Sequence, residues 1–381
     1  NFGTNVGGTS EGNLANANLT WEKARKLNVG IDFTTLNQRL ALTIDAFYEY
    51  RFDIITDMNS DGIMGYPDIV GKDAALQNLG EVSNRGVDIE LSWNDKIGKD
   101  FRYYIRPNLT FSRNRLEYKA EVARKNSWRK ETGKRLYENF VYVFDHFVAD
   151  QEEADRLNKI GYQPWGQLIP GDVVYKDLDR NGVIDDEDRT AMGNPRSPEL
   201  MFGIPFGFQY KNFDFSIFLN FSYGGEILNA TKLANTQSGK FDYNVLNVCN
   251  SESRWTYINK QTGELITDPA QLAAINAGRN VAGVWDMESG DKYVHSWAVE
   301  DASFIRLKTI SLGYNFPRQA IQKLSLQRLR IYFTANNLFV WTPYSGLDPE
   351  TSTSGKGLTQ GVDYGAYPRS RSFVLGFNIT L

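Results

Sequence analysis

Between positions 200 and 223 the chain alternates so regularly that a pair of strands is the simplest way to satisfy it. Phe202, Ile204, Phe206, Phe208 and Tyr210 take turns with Gly203, Pro205, Gly207 and Gln209. After Lys211-Asn212 the pattern restarts: Phe213, Phe215, Ile217, Leu219, Phe221 and Tyr223 take turns with Asp214, Ser216, Asn220 and Ser222, with Phe218 the one apolar exception. Successive side chains of a strand point to opposite faces, so a period of two gathers the bulky groups on one side. The Lys211-Asn212 step reads as a tight hairpin. Both runs exceed the ~5–6 residues usual in a soluble sheet. A bulky face with aromatic ends, backed by a small or polar face, suits a strand between lipid and a wet lumen. A β-sandwich also alternates, but with shorter strands and turns about every 8–12 residues. The run lengths favour an all-β, transmembrane antiparallel β-barrel.

Composition is compatible with that reading. The 381 residues could hold two or three soluble domains, yet nothing shifts partway along the chain. A mean hydropathy of -0.44 without a long apolar run excludes transmembrane helices. It does not exclude a barrel, because half of each strand and all of each loop are polar. The aromatic content of 13% and the 33 glycines suit aromatic girdles and close strand packing. A net charge of -4 carries no polyanion-binding signal, so no nucleic-acid partner is expected. Cys249 stands alone, which leaves neither an intrachain disulfide nor a cysteine-rich metal site. The N-terminus is Gly/Asn/Thr-rich and carries no secretion signal, so a mature chain or a fragment is expected.

The same alternation recurs along the chain. Leu27, Val29, Ile31 and Phe33 are followed, after Asn37-Gln38, by Leu40, Leu42, Ile44, Ala46, Tyr48 and Tyr50. Val87, Ile89, Leu91 and Trp93 lead through a short turn to Tyr103, Ile105, Pro107, Leu109 and Phe111. Beyond the opening hairpin come residues 303–316, whose pattern shifts near Thr309 as at a bulge, then Leu329, Ile331, Phe333 and Ala335, and finally Phe373, Leu375, Phe377, Ile379 and Leu381. These make about nine strands whose connections alternate between short and long, the longest spanning residues 119–197 and 227–298. Transmembrane barrels sort their loops this way, short turns at one end and long extracellular loops at the other. An odd strand count leaves an edge unpaired, and lipid does not tolerate that, so further strands are expected upstream.

The long connections carry structure of their own. Asp150 with Glu153, Ala154, Leu157 and Gly161 reads as a capped short helix, and Asp268-Pro269 through Ala277-Gly278 as another. Asp177, Asp179, Asn181, Val183, Asp185 and Asp188 fall at positions 1, 3, 5, 7, 9 and 12 of an EF-hand-type calcium loop, with Gly182 at the sharp turn. Calcium takes many hard oxygens, and alternate positions turn them inward. Position 12 is Asp188 in place of the usual Glu, and no flanking helices are evident, so an isolated calcium loop that stiffens its surroundings is expected. Asp57, Asn59, Asp61 and Asp68 repeat the spacing imperfectly, with Gly65 at position nine and Pro67 inside, and read better as a polar turn.

No enzyme signature is present. His146 and His295 are the only histidines and lack metal-ligand spacing, and no nucleophile elbow, phosphate loop or dinucleotide fingerprint occurs. Five of the eight tryptophans fall in the long connections: Trp128, Trp165, Trp255, Trp285 and Trp297. Their flat faces can stack on sugar rings, which makes them candidate substrate-binding residues. The bland alternative for each is that it packs a loop's own small core.

Several stretches together resemble one family. Residues 144–155 (FDHFVADQEEAD) and 170–195 (PGDVVYKDLDRNGVIDDEDRTAMGNP) are similar to an extracellular loop of the SusC/RagA-like TonB-dependent outer-membrane transporters of Bacteroidota. Residues 79–91 (LGEVSNRGVDIEL), 300–314 (EDASFIRLKTISLGY), 335–341 (ANNLFVW), 344–350 (YSGLDPE) and 367–381 match it in the same order. Arg180 departs from the pattern at a place often Gly or Asn, and Leu381 where such barrels commonly end in Phe. The resemblance implies that residues 1–381 are the C-terminal part of a roughly 22-stranded barrel, the strand number of plugged outer-membrane transporters. It further implies a plug domain outside this sequence, engagement of TonB through that missing region, and residence in outer-membrane lipid. The implied activity is import of a large nutrient, most commonly a glycan or oligosaccharide, with a SusD-like surface lipoprotein resting on the long loops. An oligopeptide substrate is the alternative within the family. A structural or assembly component that docks partner proteins without transport is the alternative outside it.

Overall fold

The computed structural model describes residues 15–57, 75–164, 166–236, 246–283, 294–351 and 361–381. In chain order the elements are β1 (Lys23–Thr35), β2 (Leu40–Thr56), β3 (Gln77–Ile97), β4 (Phe101–Ile105), β5 (Asn108–Tyr118), β6 (Glu138–Tyr142), β7 (Phe144–Phe147), α1 (Gln151–Ile160), β8 (Val173–Tyr175), β9 (Arg189–Pro195), β10 (Leu200–Tyr210) and β11 (Phe213–Tyr223). They continue with β12 (Glu226–Asn229), α2 (Ala230–Thr236), α3 (Pro269–Asn276), β13 (Val299–Asp301), β14 (Phe304–Asn315), α4 (Arg318–Ile321), β15 (Arg328–Trp341), β16 (Val362–Asp363) and β17 (Ser372–Thr380). Among the described residues no helix is long and apolar enough to cross a membrane.

The main sheet runs β1-β2-β3-β4-β10-β11-β14-β15-β17, with β5 also pairing β10 and β3. The β4 and β5 segments are the two halves of one expected strand. β10 pairs β4 through Phe206–Tyr210 and β5 through Leu200–Gly203, and the ladder breaks where Arg106-Pro107 meets Ile204-Pro205. Proline has no N–H to give to a ladder. The Arg106 amide still donates to the Pro205 carbonyl at 2.9 Å, so the break is a local kink. The alternation does not announce the break at Pro107, whereas the irregularity expected near Thr309 is a bulge at Lys308. Phe218 pairs Thr309 on one side of it and Leu219 pairs Leu307 on the other, so Lys308 has no opposite number on β11.

The chain groups into two compact units, Asn1–Val29 with Ala46–Gly86 and Ser112–Leu136, and Gly30–Asp45 with Val87–Phe111 and Tyr137–Leu381. In the first, β3 begins ten residues before the alternation that announces it. Residues 77–86 are polar on both faces and are held by side chains instead: Tyr50 donates to Glu81 at 2.5 Å, Ser83 to Glu117 at 2.5 Å, and Asn78 to the Asp53 carbonyl at 2.7 Å. In this stretch only Arg85 is exposed, and polar or small residues fall on both faces, so no apolar repeat marks it.

In the second unit the two faces of the sheet are sharply distinct. The hairpin register sets Phe208 opposite Phe215, Phe206 opposite Ile217 and Ile204 opposite Leu219, while Gly207 faces Ser216 and Gly203 faces Asn220. Lys211 turns the hairpin with a φ of +50°. Outward apolar residues such as Leu312, Phe333, Phe373 and Phe377 are left exposed. The opposite face is a ladder of polar pairs: Ser311 with Thr334 at 2.9 Å, Thr309 with Asn336 at 3.1 Å, Asn336 with Ser372 at 3.1 Å, and Arg330 bidentate on Asp214 at 2.5 and 3.0 Å. On that face the Tyr332 ring lies so close over Gly376 that a Cβ there has no room, and Arg330 caps the ring at 4.8 Å.

The best-buried apolar core lies in the long connections. Tyr142, Val173, Tyr175 and Ile184 from residues 119–197 pack with Leu233, Ala282 and Ala298 from residues 227–298 in one cluster. Val148, Ala154, Leu157, Leu168 and Val174 form a second cluster, and Tyr162 packs against both.

Candidate functional site

The connection of residues 119–197 is built by local signals. The Asp150 side chain caps α1 by accepting from the Glu153 amide at 2.9 Å, and Glu153 reaches back to the Ala149 amide at 2.9 Å. Gly161 ends the helix at a φ of +65°, and Ala154 and Leu157 are its buried residues. All three residues of β8 are buried, so the chain enters the acidic loop from an anchored strand. In the other long connection α3 starts as its sequence implies, with Asp268 capping the Gln271 amide at 2.9 Å and Pro269 in the first turn.

The acidic loop folds around its own carboxylates. Asp177 accepts from the Gly182 amide at 2.7 Å and the Asn181 amide at 3.2 Å, Asp179 from the Asn181 amide at 3.2 Å, and Asn181 from the Val183 amide at 2.8 Å. Gly182 sits at φ +88° and Arg180 at +59°. The left-handed backbone at Arg180 is one that Gly or Asn adopts at lower cost than a long side chain does. Asp185 caps the short 3-10 turn Asp186–Asp188 by accepting from the Glu187 amide at 2.7 Å. Asp188 is fully buried, with its carboxylate accepting from the Leu178 amide at 2.7 Å and the Asp185 amide at 2.9 Å. That burial raises its pKa above the ordinary carboxylate value. The result is that carboxylate oxygens of Asp177, Asp179 and Asp188 all lie within 4.8 Å of one another. Of the expected ligands these three converge, from the first, third and twelfth positions, and are the residues that could hold a cation; Asp185 stands outside the group, its Oδ1 accepting from the Glu187 amide.

Ile184, next to these residues, is fully buried in the cluster shared with Leu233, Ala282 and Ala298. Its amide donates to the Tyr162 carbonyl at 2.7 Å. The acidic loop is therefore stitched to both long connections. Other links between them are the Phe144 amide to Ser296 Oγ at 3.0 Å, the Gly283 amide to the Gly171 carbonyl at 3.0 Å, and a parallel bridge between Tyr142 and His295. His295 is buried among Phe144, Tyr175 and Trp297, and loss of hydration, with a smaller push from Lys232, drives its pKa down to about 3. A third connection, between β15 and β17, joins them. Its β16 pairs β12 in parallel, and Tyr344 donates to Asp363 at 2.7 Å, with burial holding the phenol far above its usual range.

The candidate aromatic residues divide. Trp255 is only 5% exposed, and its ring leaves no space for a side chain at Gly171, so it serves loop packing. Trp297 is half-buried, with Lys232 Nζ 3.8 Å from its ring centre and His295 stacked beside it. Trp128 is half-buried in the first unit, where its carbonyl accepts from Lys134 at 2.5 Å. Trp165 and Trp285 lie outside the described residues, as does most of the weaker acidic stretch after Asp57. The alternation did not point to His295, Lys232 or Arg306. His295 and Lys232 are polar residues in stretches without an apolar repeat, and Arg306 takes a polar place in the alternation of β14; only long-range contacts bury them.

A meander of long strands, apolar on one face and polar on the other, with folded connections, defines a membrane β-barrel protein. The chain belongs to the family described as TonB dependent receptor-like, beta-barrel, which it matches over residues 1–338. Proteins of this family reside in the outer membrane. The chain is 27% identical to TonB-dependent receptor P3 of Formosa agariphila over 98% of this chain and 36% of that protein. It is 26% identical to TonB-dependent receptor SusC of Bacteroides thetaiotaomicron, covering 99% of this chain and 34% of that protein. The chain thus spans about a third of the length of these relatives. Its fold matches that of a structure of the RagAB peptide transporter with a TM-score of 0.71 at 20% identity, over 100% of this chain and 38% of the other.

Proposed function

We propose that this chain is the C-terminal barrel portion of an importer that takes a large nutrient across the outer membrane, energised through TonB by parts of the protein outside this sequence. The observation that carries the reading is the folded module at the end of the sheet where the long connections emerge, in which residues 119–197 and 227–298 share one buried core. A SusD-like lipoprotein resting on that module is the proposed partner. The remaining barrel strands pair the edges at β1 and β17, and a plug fills the lumen. In this role the protein binds and moves its ligand without chemical conversion.

For the substrate, a glycan or oligosaccharide is the first reading and an oligopeptide the second. The fold likeness to a peptide importer favours the second. The packing of Trp255 and Trp297 leaves fewer free rings for sugar stacking than the sequence promised. Mass spectrometry of material co-purifying with the full-length protein and its partner separates the readings. Hexose-spaced masses support the first, peptide masses support the second, and neither ligand nor TonB-dependent uptake would point to a docking or assembly component.

The acidic loop is proposed to hold one structural calcium ion through Asp177, Asp179, Asn181, Val183, Asp185 and Asp188. What supports this is the convergence of three carboxylates around the tight turn at Gly182. Because Ile184 anchors the same loop in the shared core, a bound ion would stiffen both long connections.

A further inference from the structure

The outward face of the sheet holds a feature that nutrient import does not use. Leu109 of β5 pairs Phe202 of β10, Phe202 pairs Phe221 of β11, Phe221 pairs Ile305 of β14, and Ile305 pairs Trp341 of β15. These five residues form one apolar rank across five strands, about 20 Å wide at a strand spacing of ~4.8 Å. The rank lies at the end of the sheet where the long connections leave. Next to it Leu200 pairs both Phe111 and Tyr223. The surface is not smooth. A groove of about 540 Å³ opens here, lined by the rank together with Leu200, Phe304 and Pro343. Ile305 is the smaller member between Phe221 and Trp341, so the two aromatic residues stand as ridges beside it.

We infer that this groove seats an acyl chain of an outer-leaflet lipid. Its apolar lining rules out a sugar or a charged headgroup as occupant. It is continuous with the outward apolar face, which a barrel of this family turns to lipid, and lies at its rim. Exposed Tyr223 and Trp341 flank it as girdle aromatics do at a membrane–water boundary. The polar atoms at its edge, from Ser222, Ser303 and Thr342, belong on the headgroup side. Lipid tails are as apolar as the groove, so the hydrophobic effect does not hold the chain; van der Waals contact with the Phe221 and Trp341 ridges on either side, which a smooth lipid-facing surface does not offer, retains it longer than bulk lipid.

The test uses the full-length protein purified from outer membranes and washed with detergent, with retained lipid quantified by native mass spectrometry. Wild type is expected to keep one lipid per protein. Ile305→Trp and Leu109→Trp, which fill the groove, are expected to lose it severalfold. Leu312→Trp, an outward position lower on the same strand, is expected to keep it. No retained lipid in wild type, equal retention in all variants, or a retained lipoprotein anchor or protein in place of a membrane lipid would overturn the inference. Should the tryptophan variants fail to insert, a photo-crosslinking residue at position 305 must label membrane lipid more strongly than one at position 312; equal labelling overturns it. The readout is independent of substrate, so a wrong nutrient leaves it standing.

Discussion

Arg306 Nη2 lies 2.6 Å from Asp348 Oδ1, with the two residues 2% and 5% exposed. The pair fastens the connection after β15 to the inward face of β14. Glu350 adds a second carboxylate 3.0 Å from Arg306 Nε, and Arg369 lies 3.3 Å from Glu350. Removing one partner of a buried pair strands the other charge. Asp348→Ala is expected to cost about 3–5 kcal/mol in unfolding of the detergent-refolded protein, whereas Arg306→Met with Asp348→Leu should recover much of that loss. A single variant as stable as wild type would show that the pair contributes little.

The facing of β11 gives a second expectation. Phe215 sits in an outward rank with Phe208 and Leu312, while its neighbour Ser216 lies between Gly207 and Ser311. Phe215→Arg or Leu219→Arg is expected to destabilise the barrel by about 2–4 kcal/mol near the midplane of the bilayer. Ser216→Arg, pointing to the polar side, should cost far less. Equal penalties in lipid-bilayer refolding titrations would contradict the assignment of faces.

For the acidic loop the measurement is limited proteolysis with and without calcium. Wild type is expected to be cut within residues 119–197 faster after chelation. Asp177→Asn with Asp179→Asn keeps acceptors for the amides of Asn181 and Gly182 but removes two charges. That variant should be cut at one rate in both conditions. Identical cleavage of wild type with and without calcium would remove the ion from the account.

His295 predicts a pH dependence confined to the loop module. Its pKa is depressed to about 3 in the folded state, against 6.5 ordinarily. The unfolded module therefore binds the proton first, and stability is lost as pH falls from about 6.5 toward 3. Fully expressed, the loss amounts to about 4–5 kcal/mol, since each tenfold change in proton affinity is worth about 1.36 kcal/mol. Hydrogen exchange of β7 and β8 amides should accelerate between pH 7 and 5 in wild type and much less in His295→Phe. An unchanged slope in the variant would place the titration elsewhere.

What the sequence determined by itself is what depends on neighbours a few residues apart. Period-two alternation marked the strands and their two faces, Asp150 and Gly161 bounded α1, Asp268 and Pro269 began α3, and the spacing from Asp177 to Asp188 drew the acidic loop. A side chain's face and a cap's partner are decided within one or two turns of backbone, so local pattern suffices. The tertiary structure alone decided the rest. The long connections had read as separate loops, yet Ile184 and Leu233 share one buried cluster. The N-terminal part of β3 escaped notice because its polar residues, on both faces, are satisfied by distant side chains and leave no apolar repeat, and the strand expected through Pro107 splits where two prolines meet. Trp255, offered by composition as a binding ring, is covered where Gly171 approaches. In each case the deciding partner lies far away along the chain, and no short-range periodicity records which distant residue will close over a given side chain.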